Sequence, residues 1–186
     1  RLIQLVHYRV NELGDIQTED PVHAGLTPFG ADVVRACNRR GIIVDVAHAT
    51  YDVTRQAAKI ATRPLVLSHT LLTDSPRRHT RAITREHALA VADTGGVIGV
   101  VPFPNAFPTL QDYTEGIARM VDAVGVNHVG IGGDLAGIRG APPYRRFEQF
   151  RLLVPMLRIR GFGSEEAAKV AGGNFMRVFA AVASPA

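Results

Sequence analysis

The feature that most constrains this sequence is an alternation of short apolar runs, rich in β-branched residues, with longer amphipathic stretches. Five apolar runs predict strands over 2–6, 42–47, 65–68, 97–101 and 129–132. The stretches between them have helical periodicity, and Thr27, Pro28 and Thr84 have the composition of helix N-termini. Strands separated by helices of about 10–15 residues indicate βαβ units, so the sequence predicts a parallel sheet.

Two architectures contain such a sheet. One is a doubly wound open sheet, and the other is an incomplete (β/α)8 barrel, because a whole barrel needs about 250 residues and this chain has 186. That length predicts a single domain over 1–186. The composition, with 46% hydrophobic and 20% charged residues, is that of a globular protein and excludes intrinsic disorder. Cys37 is the single cysteine, which excludes an intrachain disulfide.

Charge and hydropathy exclude further classes of partner. The net charge is +4, but the basic residues are dense only at Arg77, Arg78, His79, Arg81 and Arg85. Tryptophan is absent and aromatic residues are few, so we expect no nucleic-acid partner. The sequence has no apolar run of about 18 residues and no signal-peptide pattern, which predicts no membrane segment and a cytoplasmic location. It begins at Arg1 rather than Met.

Four of the five predicted strands end at a residue with acid–base or metal-binding chemistry, namely His7, His48, His69 and Asp134. Because the carboxyl ends of parallel strands converge, this pattern predicts a metal or acid–base site. Two neutral imidazoles can bind one zinc ion, but a catalytic zinc needs three protein ligands. A carboxylate must therefore come from elsewhere, and Asp134 is one candidate. Asp45 lies three residues before His48, which favours a structural role.

Other polar residues have simpler interpretations. The glycines around Asp134 depart from the spacing of a dinucleotide-binding loop, and no helical pattern follows them directly. We expect them instead to let the backbone pack closely at the mouth of a barrel. The remaining histidines are expected at the surface or at helix caps, and Cys37 is expected in the core. These histidines are His23, His79, His87 and His128.

The strand-end residues lie in stretches that resemble the membrane dipeptidase (renal dipeptidase) family, peptidase family M19. The resemblance covers nearly the whole chain in the order of the family. The matching stretches are QLVHYRVNELGD at 4–15, GLTPFGADVV at 25–34, NRRGIIVDVAHAT at 38–50, PLVLSHT at 64–70, RAITREHALAVADTGGVIGV at 81–100, VGVNHVGIGGDLAG at 124–137 and GGNFMRVF at 172–179.

The resemblance implies a TIM-like (β/α)8 barrel, of which this chain contains about the last five β/α units. It implies hydrolysis of dipeptides by a hydroxide that bridges two zinc ions. His48 and His69 match ligands of one zinc, and His7 matches the histidine that polarises the scissile carbonyl. Asp134 matches the carboxylate that holds the substrate amine and handles the proton, and Arg81 matches the arginine that binds the substrate carboxylate. Homodimers are common in the family, so the resemblance allows a homodimer.

The sequence departs from the family in three places. Arg77 and Arg78 are rivals of Arg81, because the match is looser in that loop. The family has Asp-Phe-Asp-Gly where this chain has Asp-Leu-Ala-Gly at 134–137. The family's His-x-Asp and bridging Glu precede the matched region, so this chain supplies ligands for one zinc and its activity in isolation is in question. The alternatives are a truncated non-catalytic chain and another metal-dependent amidohydrolase-type barrel hydrolase.

Overall fold

The computed structural model of the chain describes residues 1–75, 80–144 and 146–183. In these ranges, strands and helices alternate as the apolar pattern predicts. The strands are β1 (Leu2–Gln4), β2 (Ile43–Asp45), β3 (Val66–Leu72), β4 (Ala82–Ile83), β5 (Val97–Val100) and β6 (Val129–Ile131). The α-helices are α1 (Pro28–Arg39), α2 (Tyr51–Ile60), α3 (Arg85–Ala92), α4 (Leu110–Val124), α5 (Leu153–Arg160), α6 (Ser164–Ala168) and α7 (Asn174–Ala183).

All strand pairs are parallel, and the strand order is β1-β2-β3-β5-β6, with β4 paired to β3. The order follows the chain without reversal, whereas a doubly wound sheet reverses at a switch point. The sheet is therefore wound in one direction, as in part of a (β/α)8 barrel, and this confirms the barrel over the doubly wound alternative. The register of β3 against β5 shifts between Leu67 and Thr70.

Local sequence explains why the helices begin where they do. The hydroxyl of Thr27 accepts a hydrogen bond from the Gly30 N–H, and Pro28 occupies the first turn of α1. Thr84 caps α3 in the same way by accepting from the His87 N–H. Because α2 and α3 follow β2 and β4 through short turns, their caps keep the ends of these strands close to the helix N-termini.

The core lies between the sheet and its helices, and includes the buried Cys37 as predicted. A second, smaller cluster joins α7 to the first residues of three strands, Ile43 of β2, Val66 of β3 and Val97 of β5. From α7, Val178 and Val182 complete this cluster. Helix α7 therefore covers the amino ends of the strands, which leaves their carboxyl ends for the functional side chains.

The structure differs from the predicted elements at one additional strand and at the end of β3. Strand β4 lies in a segment that the sequence pattern treats as a loop, and β3 extends to Leu72 rather than ending before His69. After the last strand, a 3-10 turn (Phe147–Leu152) leads directly into α5. No helix in the described ranges combines the length and apolar character that a membrane crossing requires.

Candidate metal and substrate site

Four polar side chains meet at the carboxyl ends of the strands. The Nε2 atoms of His48 and His69 face each other at 3.1 Å. The carboxylate Oδ2 of Asp134 lies 3.9 Å from His69 Nε2. The ring of His7 packs edge-on against the ring of His48, with 4.5 Å between centroids. The structure thus brings together the residues that the strand-end pattern singled out.

His48 follows β2 in a tight turn with a φ of 69°. A left-handed conformation at a non-glycine residue costs energy and is typical of functional sites. The backbone of Gln17 stabilises the turn by donating to the His48 carbonyl at 2.9 Å, and the ring hydrogen-bonds the His7 backbone. Burial, with the nearby charge of Arg81, lowers the pKa of His48 to about 3. The imidazole is therefore neutral at pH 7, which is the form that binds a metal.

His69 lies within β3, at the shift of register against β5. Such an irregularity redirects a side chain, and here it accompanies a ring that points toward His48. The other ring nitrogen, Nδ1, lies 2.8 Å from the Ser68 hydroxyl. Burial and the charge of Arg81 lower the pKa of His69, and the carboxylate of Asp134 opposes them. This imidazole is also held in its neutral form.

Asp134 lies in a turn after β6 and has a φ of 67°. Its carbonyl accepts hydrogen bonds from Gly137 and Ile138, at 2.9 and 3.0 Å. At Gly132, a Cβ atom would lie 2.8 Å from the carbonyl oxygens of Gly99 and Val100. The glycine therefore permits the close backbone approach expected at a barrel mouth, and the turn directs the Asp134 carboxylate toward His69.

Arg81 immediately precedes β4, and its backbone carbonyl accepts from the Thr70 hydroxyl. Its guanidinium donates to Gln17 Oε1 at 3.1 Å and to the His69 carbonyl at 3.4 Å. Burial lowers the pKa of Arg81 to about 10, against the carboxylates of Asp134 and Asp45. It remains charged at pH 7. A cavity of about 440 Å³ opens beside it, with Leu71, Phe103 and Arg139 in its lining.

Arg77 and Arg78, the rivals of Arg81, lie outside the described residues. Gln17 is a site residue that the sequence analysis missed. Its side chain joins Arg81 to β4 by accepting from the guanidinium and donating to the Ala82 carbonyl. Gln17 lies in a long loop without regular periodicity, and no signal in the sequence separates it from other polar loop residues.

The prediction for His87 was wrong. His87 lies on α3 and is only 4% exposed, and its Nε2 is 2.8 Å from the Thr54 hydroxyl of α2. Thr54 and His87 share a buried helix–helix contact that the local pattern of either helix does not reveal. Burial lowers the pKa of His87 to about 4, so its imidazole is neutral.

The donor set fits a zinc ion in part. Zinc binds neutral imidazole at about 2.0–2.1 Å, which places two nitrogens of a tetrahedral site about 3.3 Å apart. The 3.1 Å between the Nε2 atoms of His48 and His69 is close to that separation. In the ranges that the structure describes, no group of three or more His, Cys, Asp or Glu side chains is arranged to hold a metal. These residues thus offer one pair of ligands.

Comparisons with known proteins show what this chain is similar to. The model of one family, described as membrane dipeptidase (peptidase family M19), matches residues 1–186. An uncharacterized dipeptidase of Schizosaccharomyces pombe is 31% identical over 96% of this chain and 46% of its own length. The chain spans about half the length of the curated relatives it matches.

Two solved structures have a similar fold. An amidohydrolase from Pseudomonas aeruginosa is 26% identical, with a TM-score of 0.85 over 97% of this chain and 64% of that one. A metallopeptidase from Rhodobacter sphaeroides, in complex with a phosphinate mimic of the dipeptide L-Ala-D-Ala, has a TM-score of 0.84 at 20% identity. That match covers 98% of this chain and 56% of the Rhodobacter chain.

Proposed function

Because this chain belongs to the membrane dipeptidase family, peptidase family M19, we propose that it acts in the zinc-dependent hydrolysis of dipeptides. The family is one of metallopeptidases, which implies a metal cofactor. The observation that carries the proposal is the 3.1 Å approach of two buried, neutral imidazoles at the strand ends. In this proposal His48 and His69 bind one zinc ion, and other residues of the whole protein complete a site with two ions.

Zinc, when bound, supplies a hydroxide nucleophile at neutral pH and Lewis acidity toward a carbonyl oxygen. The role of the two histidines is to hold the ion at a fixed point. Their burial keeps them unprotonated, so no proton competes with the metal at pH 7. Hydrogen bonds orient the two rings: the His7 backbone contacts the ring of His48, and the Ser68 hydroxyl contacts Nδ1 of His69.

Arg81 is proposed to bind the substrate carboxylate. A guanidinium has five N–H donors in a planar fork that matches a carboxylate, and Gln17 and the His69 carbonyl hold the Arg81 fork in place. The adjoining cavity of about 440 Å³ has room for the C-terminal residue of a dipeptide. A fixed cation that bonds the backbone of a proposed metal ligand favours substrates with a free C-terminal carboxylate.

Asp134 and His7 are proposed to act on the other parts of the substrate. Asp134 is partly exposed and lies next to His69, where it can hold a free amine and accept or return a proton. His7 is exposed beside His48, where its ring can donate to the oxyanion that forms as the carbonyl is attacked. Binding of both charged ends predicts a preference for dipeptides over longer peptides.

The experiment that tests this function compares free and capped dipeptides with the full-length, zinc-loaded protein. We expect hydrolysis of free dipeptides, loss of activity on chelation and recovery on adding zinc. N-acetylated dipeptides and dipeptide amides should be poor substrates, because each lacks one charged end. Equal rates with capped and free dipeptides point instead to another metal-dependent hydrolase. No hydrolysis of any dipeptide, with or without zinc, overturns the proposal.

A further inference from the structure

The cavity beside Arg81 is lined by three segments that meet at the carboxyl ends of the strands. Leu71 and Arg81 come from the region of β3 and β4, Phe103 from the loop after β5, and Arg139 from the turn after β6. The cavity volume of about 440 Å³ lies in the range of small-molecule sites, about 300–1,000 Å³. The proposed function uses Arg81 alone, so the rest of this wall has no role in it.

The backbone of the turn after β6 holds Arg139 at the cavity wall. On one side of Arg139, the Ile138 N–H donates to the Asp134 carbonyl at 3.0 Å. On the other side, Gly140 has a φ of 97°, and a Cβ atom there would lie 3.3 Å from the ring of Pro104. The glycine therefore allows the turn to lie against the loop after β5, which closes the cavity between the two arginines.

The cavity wall has an excess of positive charge. Arg81 and Arg139 are its two cations, and none of its described residues is acidic. In the described ranges, Arg139 has no ion-pair partner, whereas Arg35 and Arg119 each pair with an aspartate. A cleft lined by charge of one sign attracts ligands of the opposite sign. One substrate carboxylate at Arg81 therefore leaves a second cation that can bind another anion.

The carboxylate of Asp134 lies directly behind this wall, since a Cβ atom at Gly137 would overlap it. In the proposed function that carboxylate binds the substrate amine, so the substrate itself neutralises it. The charges of a bound dipeptide are then separated. Its amine lies at Asp134, and its anionic groups lie at the two arginines.

We propose that Arg139 is a specificity-determining residue that binds the side-chain carboxylate of an acidic C-terminal residue, so that the preferred dipeptides end in aspartate or glutamate. An arginine fork matches a carboxylate, and the apolar side chains of Leu71 and Phe103 suit the methylene groups between the two carboxylates. The inference rests on the proposed function, because it names the class of dipeptide that the same site takes.

The test compares Ala-Glu with Ala-Gln, which have nearly the same shape and differ in side-chain charge. Steady-state hydrolysis is measured with the full-length, zinc-loaded protein, for both enantiomers of the C-terminal residue. We expect kcat/KM to be about tenfold higher for Ala-Glu than for Ala-Gln, mainly through a lower KM, because a charge-assisted contact is made. Arg139→Gln should lower kcat/KM for Ala-Glu about tenfold, to near the value for Ala-Gln.

Two further variants separate a local contact from a general effect of charge. Arg35→Gln removes the same charge from α1, where Arg35 pairs with Asp32 outside the cavity, and should keep the wild-type preference for Ala-Glu. Arg139→Glu reverses the charge at the wall, so Ala-Gln should then be hydrolysed faster than Ala-Glu. Arg139 is exposed, so neither substitution there removes a buried contact.

The outcomes distinguish this inference from the function on which it rests. No hydrolysis of any dipeptide overturns the proposed function. Hydrolysis with equal kcat/KM for Ala-Glu and Ala-Gln in the wild type leaves that function standing and overturns the role of Arg139. A preference for Ala-Glu that persists in Arg139→Gln and Arg139→Glu also overturns it, because another cation then binds the side chain. A preference lost equally in Arg35→Gln contradicts a local contact.

Discussion

Two buried histidines in this protein each meet a hydroxyl at 2.8 Å, yet only one of them belongs to the candidate site. In the Ser68–His69 pair, the hydroxyl contacts Nδ1 of a histidine in β3. In the Thr54–His87 pair, it contacts Nε2 of a histidine between α2 and α3. The two histidines are 9% and 4% exposed, and burial lowers both pKa values. Burial and a lowered pKa therefore do not identify a functional histidine.

The difference lies in what surrounds the two rings. His69 points its Nε2 at a second imidazole and lies near the carboxylate of Asp134. Its neighbours His48 and Asp134 have left-handed backbone conformations. His87 lies in regular helix, where it packs near the ring of Tyr51. Several polar side chains meet at the strand ends, and two of them have a strained backbone. At the helix interface, by contrast, a single histidine has its hydrogen bond to one hydroxyl.

The largest expected effect follows from removing an imidazole from the strand-end cluster. His48→Ala or His69→Ala should lower dipeptide hydrolysis by about a thousandfold, because the ion loses a ligand. Zinc content, measured by mass spectrometry of the metal, should fall by one ion per chain. His87→Ala should retain its zinc. Wild-type zinc content in His69→Ala would remove the distinction between the two histidines.

Arg81→Ala should have the next largest effect. The loss of a charge-assisted contact with the substrate carboxylate should raise KM about 100-fold and leave kcat within a few-fold, in steady-state assays of a free dipeptide. A dipeptide amide is the matched control, because it lacks the carboxylate and should be equally slow with both proteins. The assignment fails if Arg78→Ala raises KM in this way and Arg81→Ala does not.

The burial of His87 should make the stability of the protein depend on pH. Its pKa is about 4 in the folded protein and about 6.5 in an unfolded chain, so the unfolded state takes up the proton first. The free energy of unfolding should be highest above pH 6.5 and fall toward pH 4, by at most about 1.4 kcal/mol per pH unit for this group. His48 contributes in the same direction.

Urea unfolding between pH 7 and pH 4 measures this effect. His87→Gln should flatten the decline, since the glutamine side chain does not titrate. An unchanged slope in His87→Gln would show that its burial has no consequence for acid stability.

The smallest effect is expected from Thr54→Val. It should lower the free energy of unfolding by about 1–2 kcal/mol, because a buried ring nitrogen loses its partner, and leave dipeptide hydrolysis unchanged. Ser68→Ala, in contrast, should reduce dipeptide hydrolysis at low zinc concentration. Chemical denaturation and activity assays of both variants measure this contrast. Similar activity losses in the two variants would mean that both pairs act only through stability.

Much of the strand-end site can be predicted because it depends on local sequence. Apolar runs that end at His48 and Asp134 indicate where the chain leaves the sheet, and Thr27 and Thr84 fix helix starts. Parallel strands then bring those ends together for topological reasons. The resemblance adds roles to His7, His69 and Arg81 that the pattern alone does not assign.

The parts that were missed depend on contacts between residues far apart in the chain. Gln17 meets Arg81 across 64 positions, and Thr54 meets His87 across 33. Neither contact has a local periodicity. Asp45 has the correct structural assignment, but its link to Ser68 depends on the register of β2 against β3 and on the irregularity in β3. Sequence reasoning has no access to either until the sheet is known.

The proposed zinc ligands are the Nε2 atoms of His48 and His69. The most direct test is anomalous diffraction at the zinc absorption edge from crystals of the full-length, zinc-loaded protein. We expect an anomalous peak between the two imidazoles, within about 2.0–2.1 Å of each Nε2. A zinc peak elsewhere with none between these rings, or a direct hydrogen bond retained between His48 and His69 in the zinc-loaded protein, would contradict it.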